Sequence, residues 1–191
     1  AAAIFAYLAG DLPAPSLQKL IIAPFTMRQR FLALIRREAA HARQGKPAHI
    51  IAKVNSLGDP EIISALYAAS RAGVEIDLIV RGICCLKPGV PGVSEHIRVR
   101  SIVGRFLEHS RIFYFANSGA AEYYLASADW MPRNLDRRIE TLFPIEDTAL
   151  QHKLHEILMT YLRDTQKARI LQTDGSYRRA RQRGRRRVNS Q

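Results

Sequence analysis

HIIAKVNSLGDPEIISALYAASRAGVEIDLIVRG (49–82) is the stretch whose reading decides the fold. Its two apolar runs, HIIAKV (49–54) and VEIDLIV (74–80), have the length and composition of strands buried on both faces. Between them Asp59 stands before Pro60, an N-cap followed by the residue favoured at the first helical position, and Gly73 closes the helical pattern. Strand, helix and strand joined by short links make a parallel α/β unit. Upstream, KLIIAP (19–24) reads as another strand. Thr26 and Gln29 have the spacing of a capping box for a helix whose apolar stripe is Met27, Phe31, Leu34, Ile35 and Ala39, ended by Gly45. Downstream, the turn-rich LKPGVPG (86–92) leads to strand-like runs at 97–103, 111–115, 122–127 and 138–144, with ANSGA (116–120) as a hairpin link. A last helix is predicted from Thr148 to Arg163. The expected fold is a single α/β domain, a mixed and mostly parallel sheet flanked by helices.

Length and composition narrow the class. The 191 residues suffice for one domain with a real core, and 47% hydrophobic residues exclude a disordered or collagenous chain. No apolar run approaches the roughly 20 residues of a membrane span, and the opening AAAIFAYL lacks the basic start of a signal peptide. The only two cysteines, Cys84 and Cys85, are adjacent, a placement poor for a disulfide or a metal cage, which points to a reducing compartment. A first residue of Ala rather than Met suggests a processed chain or an excised piece of a longer one. The net charge of +12 is uneven: residues 167–191 hold nine basic residues and one acid, leaving +4 for the rest. Most of the excess lies in RRARQRGRRR (178–187), whose plain reading is a solvated, disordered tail over 171–191 beyond a domain of residues 1–170. Its rival is a basic module that binds nucleic acid.

Candidate chemistry lies at strand ends, because open parallel sheets bind ligands at the carboxyl edge. Lys53 and Asn55 follow one strand, and Arg81 and Gly82 follow the next. Arginine suits phosphate through its planar bidentate fork, and the glycine would let the backbone approach a ligand. His109 and Arg111 flank one residue before an aromatic strand, and Arg138 and Glu140 share a face of a later one, where Glu140 orients Arg138 or a neighbour. Single histidines elsewhere, including His152 and His155, are read as structural, and no metal-ligand pattern is present.

His109-x-Arg111, followed after the hairpin by SADWMPRNLDRRIE (127–140), resembles a half-motif of the phospholipase D superfamily. More specifically, IIAKVNSLGDPEII (50–63), IDLIVRGICCLKPGVPG (76–92), VRSIVGRFLEHSRIFYF (99–115) and YLASADWMPRNLDRRIE (124–140) are similar to the C-terminal catalytic domain of family 1 polyphosphate kinases. The resemblance runs from Leu8 to Arg169. It implies an enzyme, a phosphotransferase that reversibly moves the terminal phosphoryl group of ATP onto polyphosphate with magnesium. It implies nucleotide and phosphate contacts for Arg81, His109 and Arg138, with Lys53 and Asn55 as further candidates by location.

The resemblance also implies missing parts. The family's phosphorylated histidine belongs to a preceding domain, and the magnesium ligands are not in this chain, so the chain alone is expected to be inactive. Its implied partners are ATP or ADP, polyphosphate, the preceding domains and a second copy of the enzyme, with no specific nucleic acid. The implied location is cytoplasmic, with membrane association of the whole enzyme left open. A phospholipase-D-like phosphodiesterase is the rival enzyme. It fits less well, because Arg111 replaces the motif's lysine and Ala116 falls where its aspartate would be. Without that acid, His109 reads as an assisting group rather than the covalent nucleophile.

Overall fold

The computed structural model describes residues 5, 9, 10, 17, 19–180 and 187–191. Along them run β1 (Ile21–Ala23), α1 (Met27–Arg43), β2 (His49–Val54), α2 (Pro60–Arg71), β3 (Glu75–Val80) and β4 (Ile97–Ile102). Then come β5 (Arg111–Phe115), β6 (Glu122–Ala126), α3 (Pro132–Asp136), β7 (Glu140–Ile145), α4 (Thr148–Arg163), β8 (Ala168–Leu171) and β9 (Tyr177–Arg179). They form one sheet in the order β1-β7-β6-β5-β2-β3-β4-β8-β9.

The mixed sheet flanked by helices is as the sequence predicts, but it is not mostly parallel. Among the described residues only β2–β3 and β3–β4 pair parallel, and the other six pairings are antiparallel. Strands β5 and β6 are joined by the short link 116–121, which permits only antiparallel pairing, and β7 returns antiparallel beside β6 after the longer segment that carries α3. Strand β1 leaves the unit it precedes and pairs with β7, Ile21 opposite Leu142.

The apolar runs are explained by burial on both faces. Ile50, Ala52 and Val54 of β2 face the layer of α1 and α2, where Phe31, Phe113 and Trp130 are fully buried and in ring contact. Ile51 and Ile79 face Leu158 and Tyr161 of α4. The predicted stripe of α1 is buried throughout. Its capping box is not formed: Thr26 makes no side-chain cap bond, and its ψ near −9° is not the extended value that an N-cap residue takes. Asp59 does cap α2, accepting from Ile62 N at 3.0 Å. Gly73, at φ +92°, takes the left-handed position that ends the helix.

The boundary expected at residue 170 falls inside β8, and residues beyond it join the sheet. Strand β8 pairs with β4, and β9 with β8. Farther on, Ser190 donates to Asp164 Oδ2 through its backbone N–H (2.8 Å) and its hydroxyl (2.7 Å). Backbone pairing and a satisfied carboxylate hold these segments where charge alone suggested a solvated tail. The Arg-rich residues 181–186 and the AAAIFAYL opening, apart from Phe5, lie outside the described residues. No helix among the described residues is long and apolar enough to cross a membrane.

Asp59 offers a test of this frame. Its carboxylate is fully buried and also accepts from Arg28 Nη2 at 2.7 Å. Asp59→Ala removes the cap and one of the carboxylates on Arg28, which keeps Asp136 and Glu61, so urea unfolding is expected to show a loss of about 1–2 kcal/mol. Asp59→Asn, which keeps a capping oxygen, is expected to lose less.

Candidate functional site

Strand direction gathers the candidate residues. The ends of β2, β3, β4, β6 and β9 and the starts of β5, β7 and β8 share one edge of the sheet. Asn55, Arg81, His109 and Arg138 all lie at that edge, and Lys53 is one residue from it.

A buried carboxylate organises three of these positions, Asn55, Arg81 and His109, the last through Arg111. Asp129, 4% exposed, follows β6 on a loop fixed by the fully buried Trp130, whose carbonyl accepts from Gly58 N (2.8 Å) and Asp59 N (2.9 Å). Asp129 Oδ1 accepts from Asn55 N (2.8 Å), Asn55 Nδ2 (3.1 Å) and Arg111 Nε (3.1 Å). Asn55 Oδ1 in turn accepts from Arg81 Nε (3.2 Å) and Nη2 (2.8 Å), which leaves Nη1 of the half-buried guanidinium free of protein partners among the described residues. On the other side, Arg111 Nη1 lies 3.0 Å from His109 Nδ1 and 3.1 Å from the His109 carbonyl. A guanidinium can only donate, so Nδ1 accepts and the imidazole proton sits on Nε2. His109 thus presents an N–H donor at an exposed position.

Lys53 is placed differently from the expectation of a ligand-facing cation. Its ammonium is buried and donates to Glu108 O (3.1 Å), Ser110 O (3.0 Å) and Ser110 Oγ (3.0 Å), 5.1 Å from the Tyr161 ring centroid. All three N–H bonds are engaged, and they clasp the backbone on both sides of His109. Burial pulls the Lys53 ammonium down to about 8.

Arg138 is exposed two residues before β7 rather than on it. Four strand spacings, about 19 Å, separate β7 from β3, so Arg138 reaches the far end of the same edge and is not in the Asp129 network. Glu140 does not orient it: its carboxylate accepts from Ser127 Oγ and from Asn134 Nδ2 (2.6 Å), pinning the loop that carries Asp129. Gly82 also differs from its sequence reading. A Cβ there would lie 3.0 Å from the Asn55 carbonyl, so the glycine permits strand-to-strand approach. Asp129 is the residue that sequence reasoning missed. Its signal was an acid set between two apolar residues, Ala128 and Trp130, both of which the structure buries.

The carboxylates near this edge do not fit a magnesium site. Asp129, Glu108 and Glu140 are each engaged by protein donors. Among the described residues no three His, Cys, Asp or Glu side chains converge as ligands.

The mixed sheet flanked by helices has a phospholipase-D-like fold. It is shared with Nuc of Salmonella typhimurium, a phospholipase D family member, at a TM-score of 0.58 and 15% identity over 83% of this chain and 99% of that one, a likeness of fold alone. Residues 20–191 match the family described as polyphosphate kinase C-terminal domain 2, and the chain belongs to that family. The polyphosphate kinase of Pseudomonas aeruginosa is 61% identical over 163 residues, 85% of this chain and 24% of the relative. That of Thermosynechococcus vestitus is 59% identical over 175 residues, 92% of this chain and 24% of the relative. The crystal structure of the Porphyromonas gingivalis polyphosphate kinase superposes with a TM-score of 0.94 at 41% identity, covering 99% of this chain and 29% of that one. The resemblance read from the four sequence blocks therefore holds, and the chain spans about a quarter of the length of these curated relatives.

The Lys53 clasp has a pH signature. Unfolding returns the amine from about 8 to the ordinary 10.5, so the unfolded chain binds more protons between these values and stability rises with pH across that window. In Lys53→Met this rise is expected to flatten in urea titrations at stepped pH, and amides of residues 103–110 are expected to exchange faster. Equal slopes in both proteins would show that the ammonium is not desolvated.

Proposed function

We propose that this chain forms the phosphate-holding wall of a polyphosphate kinase, which transfers the terminal phosphoryl group of ATP to polyphosphate, reversibly and with magnesium. The observation that carries this reading is the Arg81–Asn55–Asp129–Arg111–His109 chain of hydrogen bonds, which fixes two phosphate-seeking donors at a strand edge in a member of this family.

Transfer breaks the bond between the γ-phosphorus and its bridging oxygen, whose electron pair leaves with ADP. It forms a bond to the attacking atom, while charge spreads over three equatorial oxygens. Arg81 meets those oxygens with Nη1 already aimed, because Asn55 fixes its other two nitrogens. Its preorganisation removes the reorganisation that water would require. His109 donates from Nε2, and Arg138 holds a more distant phosphate. Lys53 positions the His109 backbone. The attacking histidine and the magnesium ligands come from the preceding domains, since the carboxylates here are occupied. Those domains also cover Ile83, Phe106 and Leu107, large apolar side chains that are exposed close to this edge. The whole enzyme works in the cytoplasm as a homo-oligomer and does not read nucleic-acid sequence.

In the full-length enzyme, Arg81→Ala and Arg138→Ala are each expected to lower polyphosphate synthesis by about 100-fold while leaving thermal unfolding unchanged. Arg81→Lys is expected to recover only part of the loss, because one ammonium cannot both hold Asn55 and present a fork. Near-normal synthesis in both alanine variants would overturn the assignment. Labelled ATP is expected to leave phosphate on a histidine of the preceding domain, and label on His109 would contradict its role as donor. The isolated chain, given ATP, magnesium and a primer, is expected to make no polyphosphate.

A further inference from the structure

Beyond Arg81 the sheet continues through β4, β8 and β9, and one face of this extension is strongly basic. Ser101 pairs with Arg169, and Arg169 with Arg179, so three side chains stand side by side across three strands. Ser101 Oγ donates to the Arg81 carbonyl at 3.3 Å, which joins this row to the site. With Lys167, Gln166 and Tyr177 these residues line an open groove of about 490 Å³.

The charges in the groove are uncompensated. Arg28, Arg37, Arg98 and Arg111 each hold a carboxylate, whereas Arg81, Lys167, Arg169 and Arg179 have none within ion-pair distance among the described residues. The local acids are occupied: Asp164 accepts from Ser190 and three backbone N–H groups, and Asp174 from Ser176. Like charges directly opposite in an antiparallel ladder are destabilising, so the Arg169–Arg179 pair works against the hairpin unless an anion lies between the two groups. The row from Ser101 to Arg179 covers two strand spacings, about 10 Å, and Arg81 lies one strand farther. A single phosphate is too short to meet all of these donors. A linear chain of phosphates is not.

We propose that this groove holds the polyphosphate chain as it extends away from Arg81, with Lys167, Arg169 and Arg179 as its ligands. The proposal rests on the reading of Arg81 as a phosphate ligand. It gives β8 and β9 a binding task, separate from the transfer step at the Asp129 network.

The test uses the full-length enzyme running in reverse, with ADP and a linear polyphosphate of defined length, together with direct binding of that polyphosphate. The double variant R169Q/R179Q is expected to raise KM for polyphosphate about tenfold, the loss of one or two exposed charge-assisted bonds. KM for ADP and kcat at saturating polyphosphate are expected to stay unchanged. The salt dependence of polyphosphate binding is expected to flatten by about one for each cation removed. Lys167→Gln, in the loop before β8, is expected to shift the same KM in the same direction and serves if the double variant melts early. Unchanged polyphosphate affinity in these variants, with wild-type binding intact, would overturn the groove and leave the function standing. Absence of polyphosphate binding in the wild-type enzyme would overturn both. A KM for ADP that rises in parallel, or single-stranded DNA that displaces polyphosphate charge for charge, would also overturn the proposal.

Discussion

Asp129 carries a negative charge between Asn55 and Arg111 on a basic edge, and it does so almost out of contact with water. Burying a carboxylate is tolerable only when its lone pairs are met, and here four hydrogen bonds from Asn55 and Arg111 meet them. The same bonds dictate where the outer side chains go. Asn55 turns its carbonyl oxygen toward Arg81 because its amide nitrogen is held by Asp129. Arg111 presents Nη1 to His109 because Nε and Nη2 are held by the same acid. Two donors on different strands are thus set by one buried group, whose own place is fixed by the packing of Trp130 against Phe31 and Phe113. The aromatic core and the polar edge are one mechanical unit.

Much of this was legible in the sequence, for identifiable reasons. Strands β2 and β3 and their connecting helix declared themselves because both faces are buried and the caps Asp59 and Gly73 are local signals. Arg81 and Asn55 could be placed at a ligand-facing edge because strand ends follow directly from strand limits. Four things could not be read. Pairing partners such as β1 with β7 are nonlocal, so the share of parallel neighbours was misjudged. Asp129 was passed over because the expected orienting acid was sought at a fixed interval from His109, whereas the fold supplies it from a loop after the next strand. The destination of a lysine side chain was also hidden: Lys53 sits near the edge as its position suggests, yet alternation along β2 sends it beneath Tyr161 instead of toward solvent. A basic stretch near the C-terminus likewise looks the same in sequence whether it is solvated or paired as β8 and β9.

The loop around His109 shows how the second helical layer reaches the site. Tyr161 of α4 donates its hydroxyl to Glu108 and lies close to the Lys53 ammonium, while Arg100 of β4 donates to the carbonyls of Tyr161 and Leu162. Burial and the neighbouring carboxylate raise the Tyr161 phenol above its ordinary range. The apolar side chains exposed on this loop, Phe106 and Leu107, lie just beyond the residues that Lys53 and Tyr161 hold. Pressure on that apolar surface therefore acts on a backbone whose far end is clasped.

The β1–β7 pairing has a consequence for the order in which the chain assembles. Strands β2, β3 and β4 lie near one another in sequence, so their contacts close short loops. Ile21 must find Leu142, and this contact closes a loop of most of the chain, at an entropic penalty that local contacts do not carry. The central strands and α2 can therefore form a nucleus early, while β7 keeps one side bare until β1 arrives. During that interval the exposed row of backbone donors and acceptors is open to any other extended segment. In the folded chain that margin is covered by three residues, Ile21 to Ala23, drawn from the segment ahead of α1.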